Sequence, residues 1–299
     1  MTNAVLSPEE FQRFTALAEV IPDETLRTNA LTLLQEMTEV IEGVSDRTIT
    51  WKPSFLRIIQ GTTKNLDRFY KGEHKDAPDI KSGTMIIGNQ SIPHGIEVIP
   101  LISWYSRTLW DSIDDDNGRA ICQSQDAKLG WRYGDCKKCG FSSAPEGKIP
   151  DCKKEISVMA ITGDLRSIIV VKYHKSFYST GNEWLKEIGN SRANPFERVY
   201  TLTGSLSSKK KAGYEPVPRL KGVTRNLVSP EVRTFIEALF RKTLKDRTDM
   251  LKAVSESINA RLIARANGDT GQAIEHVQET PLEDVTPGTD TGEGSGYVV

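Results

Sequence analysis

All four cysteines of the chain, Cys122, Cys136, Cys139 and Cys152, lie within one short stretch. Cys136 and Cys139 have the CxxC spacing of a tight turn that brings two thiolates to one tetrahedral ion, and the other two lie almost symmetrically on either side. The stretch has few large apolar residues, so a metal would take the place of a core. Scattered structural cysteines would not cluster, and a redox CxxC would need a thioredoxin-like βαβ context. We therefore predict one structural Zn²⁺ per chain, held by these four residues.

The other residues that could do chemistry do not form a catalytic set. The four histidines, His74, His94, His174 and His276, are not paired at metal-binding spacing. The sequence contains no phosphate-binding loop, no dinucleotide-binding glycine motif and no Gly-x-Ser-x-Gly. The acidic residues 114–116 could imitate a magnesium cluster, but the following Asn117-Gly118 favours a solvated turn. We predict that the protein is not an enzyme, with a metal-dependent nuclease that uses residues 114–116 as a minor alternative.

Cations and aromatic rings alternate through the middle of the chain. Single-stranded nucleic acid requires this combination, because cations neutralise phosphates while exposed rings stack on unpaired bases. The predicted nucleic-acid-binding residues are Trp104, Tyr105, Arg107, Trp131, Arg132, Lys172, Tyr173, Lys175, Arg198, Tyr200, Lys209, Lys210, Lys211, Tyr214 and Arg219. Some of these rings belong to the core: Trp104 and Tyr105 face opposite sides of a strand, so at most one of them stacks. Residues 209–211 could instead be a solvated hairpin tip.

The charge of the chain is unevenly distributed. The net charge of −1 would by itself argue against a nucleic-acid partner, but residues 267–299 contain seven Asp and Glu and no Lys or Arg. The remaining 266 residues carry 39 Lys and Arg against 33 Asp and Glu, a net charge of +6. We predict a disordered acidic tail that competes with phosphate for a basic groove. Its apolar end, Tyr297, Val298 and Val299, is the predicted partner-binding element.

The elements that must position these residues are helices at both ends and strands between them. The sequence Ser7-Pro8-Glu9-Glu10 predicts a capping box at the start of the first helix. A second helix is predicted over residues 23–42, and a long helix is predicted from Ser229 to Ala266. The strand-like runs between them are separated by turns, such as Gly163-Asp164, which favours an antiparallel sheet or small barrel over a βαβ sheet. The sequence has neither an apolar run of about 20 residues nor a secretory signal, and we expect a cytoplasmic protein without a membrane partner.

A basic β-rich body with an acidic, apolar-ended tail resembles bacterial and phage single-stranded DNA-binding proteins. The segment Cys122-Gln-Ser-Gln-Asp-Ala-Lys-Leu-Gly, followed by Gly134-Asp-Cys136-Lys-Lys-Cys139 and Cys152, is similar to the zinc loop that phage-encoded members insert into an OB-fold. The resemblance covers about residues 48–220 and the tail. It implies an OB barrel, cooperative binding without sequence preference, and a tail that recruits replication or recombination proteins. The chain departs from the family in its helices and in its Tyr-Val-Val ending, which replaces Pro-Phe.

Together these features predict an α+β fold: an OB-like antiparallel β-barrel with an inserted zinc loop, N-terminal helices and a long C-terminal helix. The predicted segments are an N-terminal helical segment (1–47), an OB-like nucleic-acid-binding domain (48–226) with its zinc loop (119–155), a C-terminal helix (227–266) and the acidic tail (267–299). The predicted function is to bind and protect single-stranded DNA during phage replication or recombination, in the host cytoplasm if the chain is phage-encoded. The alternative function is that of a zinc-containing accessory factor of transcription or replication that associates with a polymerase. The sequence also leaves open whether the chain forms a homo-oligomer.

Overall fold

The structure, a computed structural model, describes residues 6–38, 53–58, 82–88, 90–92, 94–110, 120–142, 151–174, 177–190, 193–206 and 213–266. The chain divides into two compact units. The first, which we call the sheet unit, contains residues 2–104 and 156–248. The second, the cysteine unit, contains Tyr105–Glu155 and Asp249–Val299.

The helices of the described residues are α1 (Pro8–Glu19), α2 (Glu24–Glu36), α3 (Tyr178–Asn190), α4 (Thr224–Leu227) and α5 (Pro230–Ala266). The predicted capping box begins α1: Ser7 Oγ accepts a hydrogen bond from the Glu10 amide at 3.2 Å, and Glu10 Oε2 accepts one from the Ser7 amide at 2.9 Å. The predicted long helix is present as α5. Among these helices of the described residues, none carries an apolar stretch that could cross a bilayer.

Eleven strands are present in the described residues: β1 (Ser54–Ile58), β2 (Met85–Ile87), β3 (Gln90–Ile92), β4 (Ile96–Trp110), β5 (Ala120–Ser124), β6 (Leu129–Gly130), β7 (Gly134–Asp135), β8 (Lys153–Thr162), β9 (Ile168–His174), β10 (Arg198–Leu206) and β11 (Tyr214–Val223). A nine-stranded sheet has the order β11-β10-β4-β8-β9-β1-β2-β3, with β5 also paired to β4, while β6 and β7 pair separately. The fold is mixed α+β with a sheet that curls into a half barrel, which confirms the predicted α+β class.

The antiparallel prediction fails for one pair of strands. Strands β1 and β9 run parallel, with Ser54 opposite Ile169 and Phe55 opposite Val170. These two strands are far apart in the sequence, so no hairpin fixes their relative direction. By contrast, the predicted hairpin between β8 and β9 is present: the Thr162 amide donates to the Ser167 carbonyl at 2.9 Å.

Both faces of the sheet in the sheet unit are covered by apolar side chains. On one face, Ile99 and Leu101 of β4 belong to a cluster with Phe14 of α1 and Phe235 of α5, whose rings meet edge to face at 6.3 Å. On the other face, Val98 and residues of β8, β9 and β10 surround α3. The alternation of buried residues along β4 therefore supplies two cores, and neither face is left bare.

The second core is organised around Trp184 of α3. Its ring meets Tyr173 of β9 at 6.1 Å and Tyr200 of β10 at 5.5 Å, both edge to face. All three side chains are almost completely buried. Tyr173 also donates from its hydroxyl to the Pro216 carbonyl at 2.8 Å, which satisfies its polar atom inside the core.

Strands from the two ends of the sheet approach each other at Gly83, just before β2. The Gly83 backbone lies directly against Gly204 of β10, and the Tyr214 ring of β11 lies over Gly83, so that a Cβ at position 83 would meet Tyr214 Cδ1 at 2.6 Å. Gly83 also has a φ of 90°, which favours glycine. The curled sheet therefore depends on two glycines where backbone meets backbone.

Substituting Gly204 by alanine should lower the free energy of unfolding by about 1–3 kcal/mol, because the new Cβ would overlap the Gly83 carbonyl. Gly189→Ala is the matched control: its Cβ would enter open space on α3, and alanine should raise the helix stability by about 0.5–1 kcal/mol. Urea unfolding of the full chain measures both. A Gly204→Ala protein as stable as the parent would contradict this close approach.

Candidate metal centre and aromatic surface

The four cysteines meet at one small cavity in the cysteine unit. The lining residues are Arg107, Leu109, Cys122, Ser124, Gly130, Tyr133, Gly134, Cys136, Cys139, Phe141, Ser142 and Cys152. The cavity has room for about one water-sized sphere. Cys139 is half-buried, the other three cysteines are buried, and all four are free thiols. The structure thus brings the four predicted ligands together.

The side chains do not form a finished coordination shell. In the part of the chain that the structure describes, no group of three or more His, Cys, Asp or Glu side chains is arranged to hold a metal ion. The chemistry of the donor set nevertheless fits zinc, since among the described residues four thiols and no carboxylate or imidazole line the cavity. Cys122, Cys136, Cys139 and Cys152 would hold the ion, and four thiolates would leave no open position for a substrate.

Burial and neighbouring thiols make two of the cysteines, Cys136 and Cys152, difficult to ionise on their own. Burial raises the pKa of Cys152 to about 11; the Arg107 guanidinium opposes the rise, and the three neighbouring thiols add to it. Burial likewise raises the pKa of Cys136, against a hydrogen bond from Ser124. A divalent cation in the cavity would supply the positive charge that four thiolates require.

The turn around Asp126 connects β5, the strand that contains Cys122, to the hairpin of β6 and β7. Asp126 Oδ1 accepts hydrogen bonds from the Lys128 amide at 2.8 Å, the Leu129 amide at 3.0 Å and the Ser124 hydroxyl at 3.0 Å. Burial raises the pKa of Asp126, but these hydrogen bonds outweigh it and the net pKa is lowered. The carboxylate therefore fixes the turn while charged.

A second aspartate turn shapes the CxxC segment. Asp135 Oδ1 accepts from the Lys137 amide at 2.8 Å, and the Asp135 carbonyl accepts from the Lys138 amide at 3.1 Å. The Cys136 amide donates to the Lys128 carbonyl at 2.8 Å, which ties this turn to the preceding one. These bonds turn Cys136 and Cys139 toward the same cavity.

Glycine at position 130 permits the sulfurs to approach the hairpin backbone. A Cβ there would lie 2.8 Å from Cys122 Sγ and 3.7 Å from Cys136 Sγ. A side chain at position 130 would therefore collide with Cys122 Sγ and reach van der Waals contact with Cys136 Sγ.

The cysteine loop (residues 119–155) has little apolar core of its own. In its described part the buried apolar cluster contains Cys122, Cys152 and Leu109 of the adjacent strand, with Ile121 packed against it. Two of these members are themselves predicted ligands. The loop therefore relies on its cysteines for cohesion.

The unit that contains this cavity also carries exposed rings, two of which, Tyr133 and Phe141, line the cavity. Among the described residues, the exposed aromatic side chains are Tyr105, Trp131, Tyr133 and Phe141, and all belong to the cysteine unit. The exposed cations of the described loop residues are Lys128, Arg132, Lys137, Lys138 and Lys154, against one exposed acid, Asp151. The Arg132 guanidinium lies 5.6 Å from the centre of the Tyr133 ring. This surface combines positive charge with accessible rings.

The structure removes three predicted residues from the candidate nucleic-acid surface. Tyr173 and Tyr200 are 0% exposed in the core around Trp184, and Trp104 is 9% exposed, with the Arg247 guanidinium 4.5 Å from its ring centre. Each has a Lys or Arg within three positions in the sequence, but the side chains are buried, so they cannot stack on a base. Tyr105 is 41% exposed, which agrees with the prediction that these adjacent rings face opposite sides.

The predicted cations occupy varied surroundings. Arg107 lines the cysteine cavity and donates to the Ser142 carbonyl at 3.4 Å. Lys172 lies 4.9 Å above the Phe55 ring, Arg198 lies 3.7 Å from a Glu187 carboxylate oxygen, and Arg219 is exposed on β11.

The ring of Tyr214 is half-buried against Gly83 and offers limited area for stacking. Several predicted residues and features lie outside the described residues: Lys175, Lys209, Lys210, Lys211, Tyr297, Val298, Val299, the acidic residues 114–116, and residues 39–42 of the second predicted helix. The prediction that this helix continues beyond Glu36 is wrong for Met37 and Thr38, which form a turn after α2.

Two exposed rings, Tyr133 and Phe141, were not among the predicted binding residues. Their ring centres are 5.3 Å apart with a 41° tilt. A usable signal is present in the sequence: a loop with so little apolar core has no interior in which to bury its rings.

Comparison of the chain with family models, with curated proteins and with solved structures gave no match.

The substitution Gly130→Ala should weaken zinc binding by about 10- to 100-fold, as changes beside metal ligands commonly do. The reason is that its Cβ would collide with Cys122 Sγ. Gly140→Ala is the matched control, because a Cβ there meets nothing within 4 Å. Zinc content and competition with a chromophoric chelator provide the measurement, with about one zinc expected per parent chain. Equal zinc affinity in both variants, or no zinc in the parent chain, would contradict the predicted site.

Proposed function

We propose that this protein binds single-stranded DNA without sequence preference and protects it during phage replication or recombination. The observation that carries the proposal is the location of the exposed rings: those of the described residues all lie in the cysteine unit, among exposed lysines and arginine. Rings and cations side by side suit unpaired bases and their phosphates. The bases of duplex DNA are stacked on each other, so exposed rings could reach their faces only at the cost of unstacking them.

The sheet unit supports the proposal that the binding surface lies in the cysteine unit, because its own sheet offers no exposed face among the described residues. Its sheet has apolar clusters on both faces, so a bare sheet face is not available for stacking among the described residues. The finer fold proposal, an OB-like barrel with an inserted zinc loop, is supported by the curl of the sheet and by the meeting of Gly83 with Gly204. In this proposal the barrel is scaffold and the inserted loop is the binding surface.

We propose that the zinc is structural. The four thiols share one cavity, the surrounding loop has a minimal apolar core, and the donor set leaves no coordination position free. The protein is accordingly proposed to be a binding protein rather than an enzyme. Its metal would contribute folding energy to the loop that carries the rings.

The proposal is tested by titrating the full chain with fluorescently labelled oligo-dT, with duplex DNA and RNA as competitors. Binding of oligo-dT, with weak competition by duplex, supports it. Equal competition by duplex would favour the accessory-factor alternative, in which the basic surface meets a duplex or a protein. Absence of oligo-dT binding at low salt would overturn the proposal.

Replacing Trp131 by alanine should weaken oligo-dT binding by about 1–3 kcal/mol, because one stacking ring is lost. The slope of log K against log salt, about −0.7 for each neutralised phosphate, should stay the same because no charge changes. Val20→Ala is the control, since Val20 is an exposed apolar residue of the sheet unit. Equal affinities of the two variants would show that Trp131 does not stack.

Deleting residues 267–299 should tighten oligo-dT binding, most strongly at low salt. The deletion removes seven negative charges, and screening weakens any competition between the tail and DNA as the Debye length falls toward about 8 Å. Deleting only Tyr297, Val298 and Val299 removes no side-chain charge and should leave DNA affinity unchanged while abolishing partner capture. Equal affinity of parent and truncated protein at low salt would refute the competition.

A further inference from the structure

Tyr133 and Phe141 each contact the cysteine cavity and are also exposed to solvent. Both residues line the cysteine cavity, yet their side chains are 40% and 41% exposed. The two rings also contact each other, with their centres 5.3 Å apart. The same pair therefore forms part of the wall of the thiol cavity and part of the outer surface.

The position of Phe141 is set by two of the cysteines. Its carbonyl accepts a hydrogen bond from the Cys152 amide at 2.9 Å, and the Cys139 carbonyl accepts one from the Ser142 amide at 2.9 Å. The short turn that carries Phe141 is thus bracketed by two predicted ligands that are distant in sequence. Joining their sulfurs through one ion would hold this turn in place.

The position of Tyr133 is set by the hairpin between Gly130 and Gly134. Gly134 has a φ of 72°, and a Cβ at this position would meet Leu262 Cδ1 of α5 at 3.2 Å. Gly130 lies beneath Cys122 Sγ and Cys136 Sγ on the other side of the hairpin. The hairpin that carries Tyr133 therefore lies against Leu262 of α5 at Gly134 and against the cysteine sulfurs at Gly130.

Trp131 provides the contrast within the same turn. It is 38% exposed, similar to Tyr133, but it does not line the cavity. A change at the cavity should therefore affect Tyr133 and Phe141 more than it affects Trp131.

We infer that the metal in the cysteine cavity controls single-strand binding by holding Tyr133 and Phe141 as a base-stacking pair. This inference rests on the proposed function and adds a regulatory relation to it. Metal loading raises affinity by ordering the rings before DNA arrives, while the cations of the loop continue to attract phosphate without it. Linkage makes the effect reciprocal: bound DNA must raise the affinity for zinc by the same factor.

The experiment measures both directions of this coupling on the full chain. Oligo-dT affinity is determined for zinc-loaded and chelator-stripped protein, and zinc affinity is determined by chelator competition with and without saturating oligo-dT. We expect each ligand to strengthen the other by about 5- to 150-fold, as the loss of one stacked base implies. The salt slope of DNA binding should be the same in both metal states, because the charges that meet phosphate are unchanged.

Variants assign the coupling to the ring pair. In Tyr133→Leu/Phe141→Leu the coupling should fall to about one, whereas Trp131→Leu should weaken DNA binding and retain the coupling. Tyr133→Phe keeps the ring and should retain it as well. Zinc content of each variant shows that the cavity is intact; if the double variant loses zinc, the single Phe141→Leu variant, compared with Tyr133→Phe, carries the test.

The outcomes are distinguishable. Oligo-dT binding that is equally tight with and without zinc, with no effect of DNA on zinc affinity, overturns the inference and leaves the proposed function standing. Coupling that persists without both rings also overturns it, since the metal would then act through other residues. Failure of the zinc-loaded parent chain to bind oligo-dT overturns the proposed function itself.

Discussion

The arrangement of the cysteine unit depends on how four sulfurs share one small cavity. The loop that carries them has few apolar side chains, so burial of hydrocarbon cannot fix its shape as it does in the sheet unit. Hydrogen bonds to the carboxylates of Asp126 and Asp135 fix the turns of the loop. Gly130 has no side chain and therefore leaves space for the sulfurs beside the hairpin backbone. Two of the exposed rings of the loop, Tyr133 and Phe141, line the same cavity as the sulfurs.

The sheet unit is built on the opposite principle. Successive residues of β4 pack into two apolar cores on opposite faces of the sheet. The rings of Tyr173, Trp184 and Tyr200 lie in one of these cores. Such a unit has its aromatic residues inside and few to offer a ligand. In the proposed function the sheet unit is a stable scaffold, and the cysteine unit supplies the accessible rings and charge.

Local patterns in the sequence were sufficient for much of the fold. The capping box at Ser7, the hairpin at Gly163 and the long helix after Ser229 each depend on residues close together in the chain, and each is present. The parallel pairing of β1 with β9 was not predictable in this way, because it joins residues more than a hundred positions apart.

The convergence of the cysteines was predictable from their spacing, whereas the exposure of individual rings was not. Tyr173 and Trp131 both have basic neighbours, but burial depends on which face of a strand meets a core, and that is a tertiary property. Phe141 was not among the predicted binding residues, yet it is exposed because the described part of its loop has almost no interior to receive it.

The most direct test of the account is photo-cross-linking of the full chain to an oligonucleotide that carries 5-iododeoxyuridine, followed by mass spectrometry. The bases of a bound single strand should lie against the exposed rings, so cross-links are predicted at Tyr105, Trp131, Tyr133 and Phe141. Cross-links confined to β10 and β11, with none in the cysteine unit, would contradict the claim that the cysteine loop is the binding surface.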